Sequence, residues 1–394
     1  MKIYNKEKWE KVKLREIFEL QMGKTPSRNK ENYWRHGENS WISISDMKNE
    51  EKYICDTKEK ITDLAVEESK IKVIPKDTVI MSFKLSIGKL AITSKDMFTN
   101  EAIMAFFPKD KVEIDNNYLF YSLKKVNWTE GTNKAVKGLT LNKPLIASKE
   151  ILLPSIQIQK EIAKRLDIVM EILKAKRKIL LQLDELSKCL FIKMFGDPIL
   201  NEKKFKKGKI RDTIVEAKYG TSKPATIGGK YPYLRMNNIT YNGELDLSDL
   251  KYITLEKNEE EKYLVEKGDI LFNRTNSKEL VGKTCVFNLN TPMVIAGYLI
   301  KLKVNKQVIP EYISAFLNSV HGKRRLREMC RNIIGQANIN AQELQDISIL
   351  IPPIELQNQF AERVKMIEKS KFEIQKSIEE TQKLFDSLME KYFG

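Results

Sequence analysis

The chain has 394 residues, 42% of them hydrophobic, which is too long for one ordinary domain and apolar enough to fill two or three cores. Lys and Arg number 69 against 53 Asp and Glu, and the net charge of +16 favours a polyanionic partner, nucleic acid first, although a lysine-rich proteome is another source of such a surplus. Two histidines, His36 and His321, are too few for a catalytic zinc site or a His-based triad, and four scattered cysteines (Cys55, Cys189, Cys285, Cys330) without a Cys-x-x-Cys clip read as reduced thiols in a cytoplasmic protein.

In chain order, the polar start (Met1, Lys2, Ile3, Tyr4, Asn5, Lys6) lacks a signal-peptide core, and no apolar run reaches membrane-spanning length. Strand-like runs bounded by turn residues follow at 41–45, 79–83, 90–93 and 103–107, with a short helix near 117–125. From about Gln157 to Phe195 there is neither Pro nor Gly. Pro154 stands before this run and Gly196 after it, the start and stop signals of a helix. Its apolar residues step by fours and threes through Ile162, Leu166, Val169, Leu173, Leu180, Leu183, Leu190 and Met194.

The pattern then repeats. Strand-like runs fall at 231–236, 270–273, 284–287 and 294–304, and short helices at 311–318 and 323–330. After Pro352 and Pro353 a second uninterrupted run, from Glu355 to Phe393, carries Phe360, Val364, Ile367, Ile374, Ile378, Phe385, Leu388 and Tyr392 before Gly394. Both are heptad seams, with breaks at Lys176, Ser187, Lys371 and Thr381. Each run is about 39 residues, roughly 58 Å of helix.

Several matches share an offset of 198 residues. Pro154, Ile156, Gln159, Ala163 and Arg165 recur as Pro352, Ile354, Gln357, Ala361 and Arg363. Asn142 recurs as Asn340, and Lys193, Phe195 and Gly196 recur as Lys391, Phe393 and Gly394. The fronts correspond more loosely. Gly23 to Ser27 stand where Gly220 to Pro224 do, Trp41 to Asp46 parallel Tyr233 to Asn238, and Ile87, Gly88 and Lys89 parallel Val281, Gly282 and Lys283. The chain therefore reads as a duplicated unit with a divergent front and a matched back. The expected fold is α+β: two tandem mixed α/β modules at 1–153 and 199–352, and two long helices at 154–198 and 353–394. Neither helix can bury its seam alone, so the two are expected to pair as an antiparallel coiled coil with pseudo-twofold symmetry and a module at each end. Gly394 should then finish against the first front, as Gly196 meets the second.

Candidate DNA contacts are the polar and basic residues of the fronts. In the first they are Lys24, Thr25, Ser27, Arg28, Ser43, Ser45, Lys84, Lys89 and Lys137. In the second they are Thr221, Ser222, Lys223, Arg235, Asn237, Asn238, Asn273, Arg274, Asn276, Ser277, Lys283, Gln336 and Asn338. Arginine suits guanine and asparagine or glutamine suits adenine, so 272–277 and 335–340 stand out. The stretch from Leu280 to Thr284 has the tail of a phosphate-binding loop. Ser277 occupies the place of its first glycine, so that reading fails. No Asn/Asp-Pro-Pro-aromatic signature of a methyltransferase occurs, and no cluster of carboxylates with a lysine suggests a nuclease. No catalytic or metal residue is expected.

With these features the chain resembles the specificity subunit of type I restriction–modification systems, on the two Pro-x-Ile-x-x-Gln helix starts, 335–340, 272–277 with 280–283, and 23–27 with 220–224. The resemblance spans essentially the whole chain. It implies two target-recognition domains, each reading half of a split duplex site, and helices that act as spacer and as docking surface for two methyltransferase subunits, with a nuclease-translocase subunit joining in some systems. S-adenosylmethionine and ATP would belong to those partners, and the chain itself would need no cofactor. Individual base contacts do not carry over, and the first front departs most, with Ser82, Phe83 and Lys84 where the second has Asn273 and Arg274. A self-contained methyltransferase or nuclease, and a coiled-coil adaptor binding RNA or DNA, remain the competing readings.

Overall fold

A computed structural model describes residues 9–48, 51–130, 133–135, 138–333 and 336–394. The chain divides into two compact units: 1–178 with 376–394, and the continuous stretch 179–375. The two long helices, Ile156–Phe195 and Ile354–Phe393, have 40 residues each.

In the first unit a five-stranded sheet pairs, in order, Phe18–Met22, Ile103–Pro108, Val79–Ser82, Leu90–Thr93 and Tyr53–Ile54. A smaller sheet sets Asn39–Ile42 between Glu59–Ile61 and Phe98–Thr99. Val79–Ser82 and Leu90–Thr93 are buried along their whole length, which is why they read as continuous apolar runs rather than as alternating ones. Glu10–Lys13 pairs antiparallel with Glu150–Leu153 and so ties the start of the front to its end. Helix Asn116–Lys125 covers this core.

The second unit repeats the plan. Ile214–Tyr219, Leu299–Val304, Ile270–Asn273 and Thr284–Val286 form one sheet, and Lys251–Ile253, Tyr231–Leu234, Met293–Ile295 and Leu264–Val265 another. Lys206–Lys209 with Ser348–Ile351 closes the front. The single strand expected at 294–304 is in fact two, Met293–Ile295 and Leu299–Val304, which belong to different sheets and are joined by a turn at Gly297 and Tyr298. Tyr231–Leu234 and Asn39–Ile42 end earlier than expected because tight turns, Met236–Asn238 and Ile44–Asp46, follow them.

The matched residues of the repeat each do a structural job. Gln159 and Gln357 are wholly buried. Gln159 accepts a hydrogen bond from the Asp115 amide (2.9 Å) and donates to the carbonyls of Pro154 (2.8 Å) and Glu113 (3.2 Å). Gln357 accepts from the Ile309 amide (3.0 Å) and donates to those of Pro352 (2.8 Å) and Gln307 (3.0 Å). Each glutamine thus staples the first turn of a long helix to its own front. Asn142 and Asn340 cap short helices, accepting from the Leu145 and Glu343 amides. Gly196 closes its helix at φ +77°, a left-handed conformation that favours glycine.

Within each unit the helix segments run antiparallel. In the first, Arg165 donates to the Tyr392 hydroxyl (3.2 Å), and the Lys176 ammonium donates to the hydroxyls of Ser377 (2.6 Å) and Thr381 (2.7 Å). In the second, Arg363 reaches the Met194 sulfur (3.9 Å), Lys371 pairs with Asp184 (2.8 Å), and Phe360 packs edge-on against Phe191 and Phe195. Ile162, Leu166, Val169, Leu173, Phe360, Ile367, Ile378, Phe385 and Leu388 are buried; Leu180, Leu183, Leu190, Val364 and Ile374 are half-buried. The expected breaks at Lys176, Thr381 and Lys371 are instead polar contacts between the helices, a device that fixes register. The end of each long helix docks on the opposite front: Phe393 lies 5.3 Å from the Tyr118 ring, and Phe195 lies 4.8 Å from that of Tyr312.

Gly23 and Gly220 match because each lies against backbone. A Cβ at Gly23 would overlap the Thr99 carbonyl oxygen, and one at Gly220 that of Ile295. G220A is therefore expected to lower unfolding stability by about 2 kcal/mol, the cost of overpacking against an unyielding neighbour. Urea unfolding measures it, and an unchanged midpoint would contradict the contact.

Candidate nucleic-acid interface

The loop that follows the central strand has one framework in both units. Ser82 and Asn273 occupy the same place: their amides donate to the carbonyls of Lys89 and Lys283, and their carbonyls accept from the amides of Gly88 and Gly282. The next residue also corresponds. The Phe83 carbonyl accepts from the Leu141 amide, and the Arg274 carbonyl from the Ile339 amide. Upon this shared frame the loops diverge in length and content. The first presents Lys84 and the exposed Leu85 at φ +64°, and the second Arg274 to Leu280.

In the second unit the structure joins two segments far apart in sequence. Thr275–Asn276 pairs with Gln336–Asn338, which pairs with Arg331–Ile333, and the Thr275 hydroxyl lies 3.3 Å from the Asn338 side-chain oxygen. Arg274, Asn276, Ser277 and Asn338 thereby form one half-buried polar patch. The Arg274 guanidinium carbon sits 4.8 Å from the centre of the Tyr219 ring, and the Tyr219 hydroxyl accepts from the Ala341 amide (2.8 Å). Gln336 lies in the paired strand, and Lys137 lies outside the described residues.

Other sequence candidates are corrected to internal roles, because burial and hydrogen bonds consume their polar groups. Asn238 is buried and holds a turn through the Arg235 amide and the carbonyls of Asp246 and Asp249. Asn273 is buried and accepts from the Thr275 amide. Lys283 is buried and donates to the Met236 carbonyl (2.6 Å). Thr221 is buried and accepts from the Lys223 amide. Further candidates are tied to carboxylates: Lys223 to Glu259, and Arg235 with Asn237 to Asp249. In the first unit Thr25 bonds Glu101, Ser43 bonds Ser45 and Asp46, and Arg28 pairs with Glu59 while lying 3.8 Å from the Trp34 ring centre. The Glu59 hydrogen bond holds the Arg28 guanidinium above its ordinary value. Lys24, Ser27, Ser45, Ser222 and Asn237 are exposed, and Lys84 and Lys89 half-buried.

One basic feature was missed as an interface. Helix Val320–Met329 exposes Arg324, Arg325 and Arg327 on a single short element, and among the described residues the first unit has no helix between Asn116–Lys125 and Asn133–Ala135. The run of four cations at 323–327 was the available signal. Under that helix Lys323 donates to the Gly282 carbonyl (3.0 Å). Burial, with Lys283 and Arg327 nearby, pulls its ammonium down to about 8. Lys323 and Lys283 thus clamp the backbone on which the loop stands.

The model of the type I restriction modification DNA specificity domain matches this chain twice, at residues 6–185 and 201–383. The chain belongs to that family. Among relatives of the family, it is 28% identical to the MjaIX specificity subunit of Methanocaldococcus jannaschii over 61% of this chain and 60% of that one, so it spans less than two thirds of that relative. It is 23% identical to the EcoKI specificity subunit of Escherichia coli over 77% and 69% of the two chains. The crystal structure of a type I restriction-modification S subunit from M. genitalium shares the fold, with a TM-score of 0.58 at 16% identity over 100% of this chain and 98% of that one. A structure described under complex assembly and conformational transition of the type I restriction–modification system gives 0.60 at the same identity and coverage. The two expected specificity domains are present in tandem. Among the described residues no helix is long and apolar enough to cross a membrane, and no cluster of three or more His, Cys, Asp or Glu is placed to hold a metal ion.

Proposed function

We propose that the chain is the non-catalytic recognition subunit of a type I restriction–modification enzyme: each unit reads one half of a bipartite duplex, and partner methyltransferase subunits dock on the long helices. The observation that carries this is the shared loop frame at Ser82 and Asn273, which holds unlike loops on like scaffolds. Two copies of one fold with different reading loops suit two different half-sites. The surplus of cations supplies the sequence-independent grip on phosphate. Docking is supported by the first helix in its own unit, where Ile168 and Ile172 are 52% and 41% exposed along a groove of about 650 Å³ that Asp115, Asn117 and Lys164 also line. S-adenosylmethionine, ATP and any nuclease belong in this reading to the partners. A DNA target and four free thiols fit a cytoplasmic setting.

The test selects duplexes from a randomised library with the tagged full chain in moderate salt, beside a methyl-transfer assay of the chain alone with S-adenosylmethionine. Two conserved blocks around an unspecified gap, and no transfer, are expected. Exchange of residues 199–352 for those of a relative should change one block only. A single block, a preference for RNA, or methyl transfer by the isolated chain would overturn the reading.

A further inference from the structure

We propose that Arg274 reads a guanine in the half-site of the second unit. The assignment rests on the DNA-recognition reading above and names the base-specific residue within it.

The backbone of Arg274 is fixed on both sides. Its amide donates to the Tyr298 carbonyl (3.0 Å) and its carbonyl accepts from the Ile339 amide (2.9 Å). Its guanidinium rests on Tyr219, and the Tyr219 ring is held in turn by the Ala341 amide. A cation stacked on a held aromatic ring loses little further freedom on meeting a ligand.

Beyond its contact with the Tyr219 ring, the charge of Arg274 has no counter-charge in the fold. Among the described residues it pairs with no carboxylate, and its Nε is buried without an acceptor. Elsewhere in the second front cations do have carboxylate partners: Lys218 has Glu216, Lys223 has Glu259, Lys230 has Glu260 and Arg235 has Asp249. A half-buried guanidinium without a counter-charge is unfavourable unless an acceptor arrives from outside.

The first unit is an internal control. Phe83 occupies the equivalent backbone position, with equivalent hydrogen bonds from its amide to Ala102 and to its carbonyl from Leu141, and it is buried. The scaffold is satisfied by a phenylalanine there, so packing alone does not call for an arginine. Beside Arg274 lie the half-buried neutral side chains Thr275, Asn276, Ser277 and Asn338, all types that bond base edges, with the charged Lys278 and Glu279 exposed next in the loop. The planar two-pronged guanidinium matches the N7 and O6 acceptors of guanine, which a point-like ammonium does not. Arg324 and Arg325 are exposed on their helix within reach of Glu328, at 4.0 and 3.6 Å, so theirs are solvated charges of the kind that meets phosphate.

The experiment compares wild type, R274Q, R274K and R274F as full chains. Each selects duplexes from a randomised library and is then titrated with the chosen duplex and with single G·C to A·T replacements. Wild type should discriminate on the order of 10- to 100-fold at one G·C pair of one half-site. All three variants should lose that preference while the other half-site keeps its consensus, and R274K should bind without discriminating. R274F preserves the residue the first unit already uses, so it keeps the test available if R274Q melts early. An unchanged consensus in the variants overturns the assignment. So does uniform weakening on all sequences with the salt slope reduced by about one, the mark of a phosphate contact. A wild-type chain that selects no consensus overturns the underlying recognition reading, and this assignment with it.

Discussion

Replacing Gln357 by alanine should lower the unfolding free energy of the second unit by about 3–5 kcal/mol, because it strands an amide and two carbonyls in the interior at a cost of roughly 1–3 kcal/mol each, partly relieved by relaxation. Gln357 is wholly buried, and its three partners lie on both sides of the junction between front and helix. Q159A should do the same to the first unit through Asp115, Glu113 and Pro154. Q357E separates hydrogen bonding from volume. A carboxylate there keeps the acceptor but faces two carbonyls without a donor, so it should be no better than alanine. Urea unfolding of each variant measures this, and a loss under about 1 kcal/mol would mean that the glutamines are not staples.

K371M is expected to cost about 1–2 kcal/mol at pH 7, between the loss from an exposed ion pair and that from a buried one, because two of the three carboxylates around the lysine are half-exposed. The Lys371 side chain is 16% exposed and pairs with Asp184, Glu244 and Glu368. Burial pulls its ammonium down, but the hydrogen bonds it donates to Asp184 and Glu244 outweigh that and hold the group above its ordinary value of 10.5. Its contribution is therefore fully present below pH 10.5 and is lost only as pH rises through the higher folded value. Across neutral and acidic pH the lysine itself stays charged in wild type. The variant differs: its carboxylates lose their counter-charge, and Glu368 already sits above its ordinary value through burial. They should take up protons on acidification, so the gap between wild type and K371M should narrow as pH falls from 7 to about 4.5. A gap of constant size would show that the loss was one of packing.

The sequence disclosed the repeat and the helices because both rest on period and spacing. The seam from Ile162 to Leu173 and that from Phe360 to Ile367 could be read from fours and threes alone. What Lys176 and Lys371 do could not, since a lysine at a seam position looks like an interruption until its partner helix is placed opposite. The fronts were legible as strands but not as sheets. The apolar stretch around Gly297 passes from one sheet to another, and periodicity does not register that change. Candidate contacts fared unevenly for a related reason. Asparagine serves equally to read a base or to pin a turn, and only burial separates Asn238, which pins a turn, from Asn276, which lies in the polar patch. Arg274 and Arg235 are the same residue type, and the carboxylate of Asp249, fourteen positions from Arg235, distinguishes them.

The first unit is discontinuous: residues 376–394 complete what 1–178 begin, and Lys125 meets Glu390 across 265 positions. Translation delivers the chain from its amino end, so the central stretch 179–375 can fold as soon as it leaves the ribosome. The first unit must wait for residues 376–394 before Phe393 can reach Tyr118. During synthesis the first unit is therefore left incomplete, and open to proteases and chaperones, until 376–394 emerge, and a chain stopped before residue 376 lacks the segment that completes the unit made earliest.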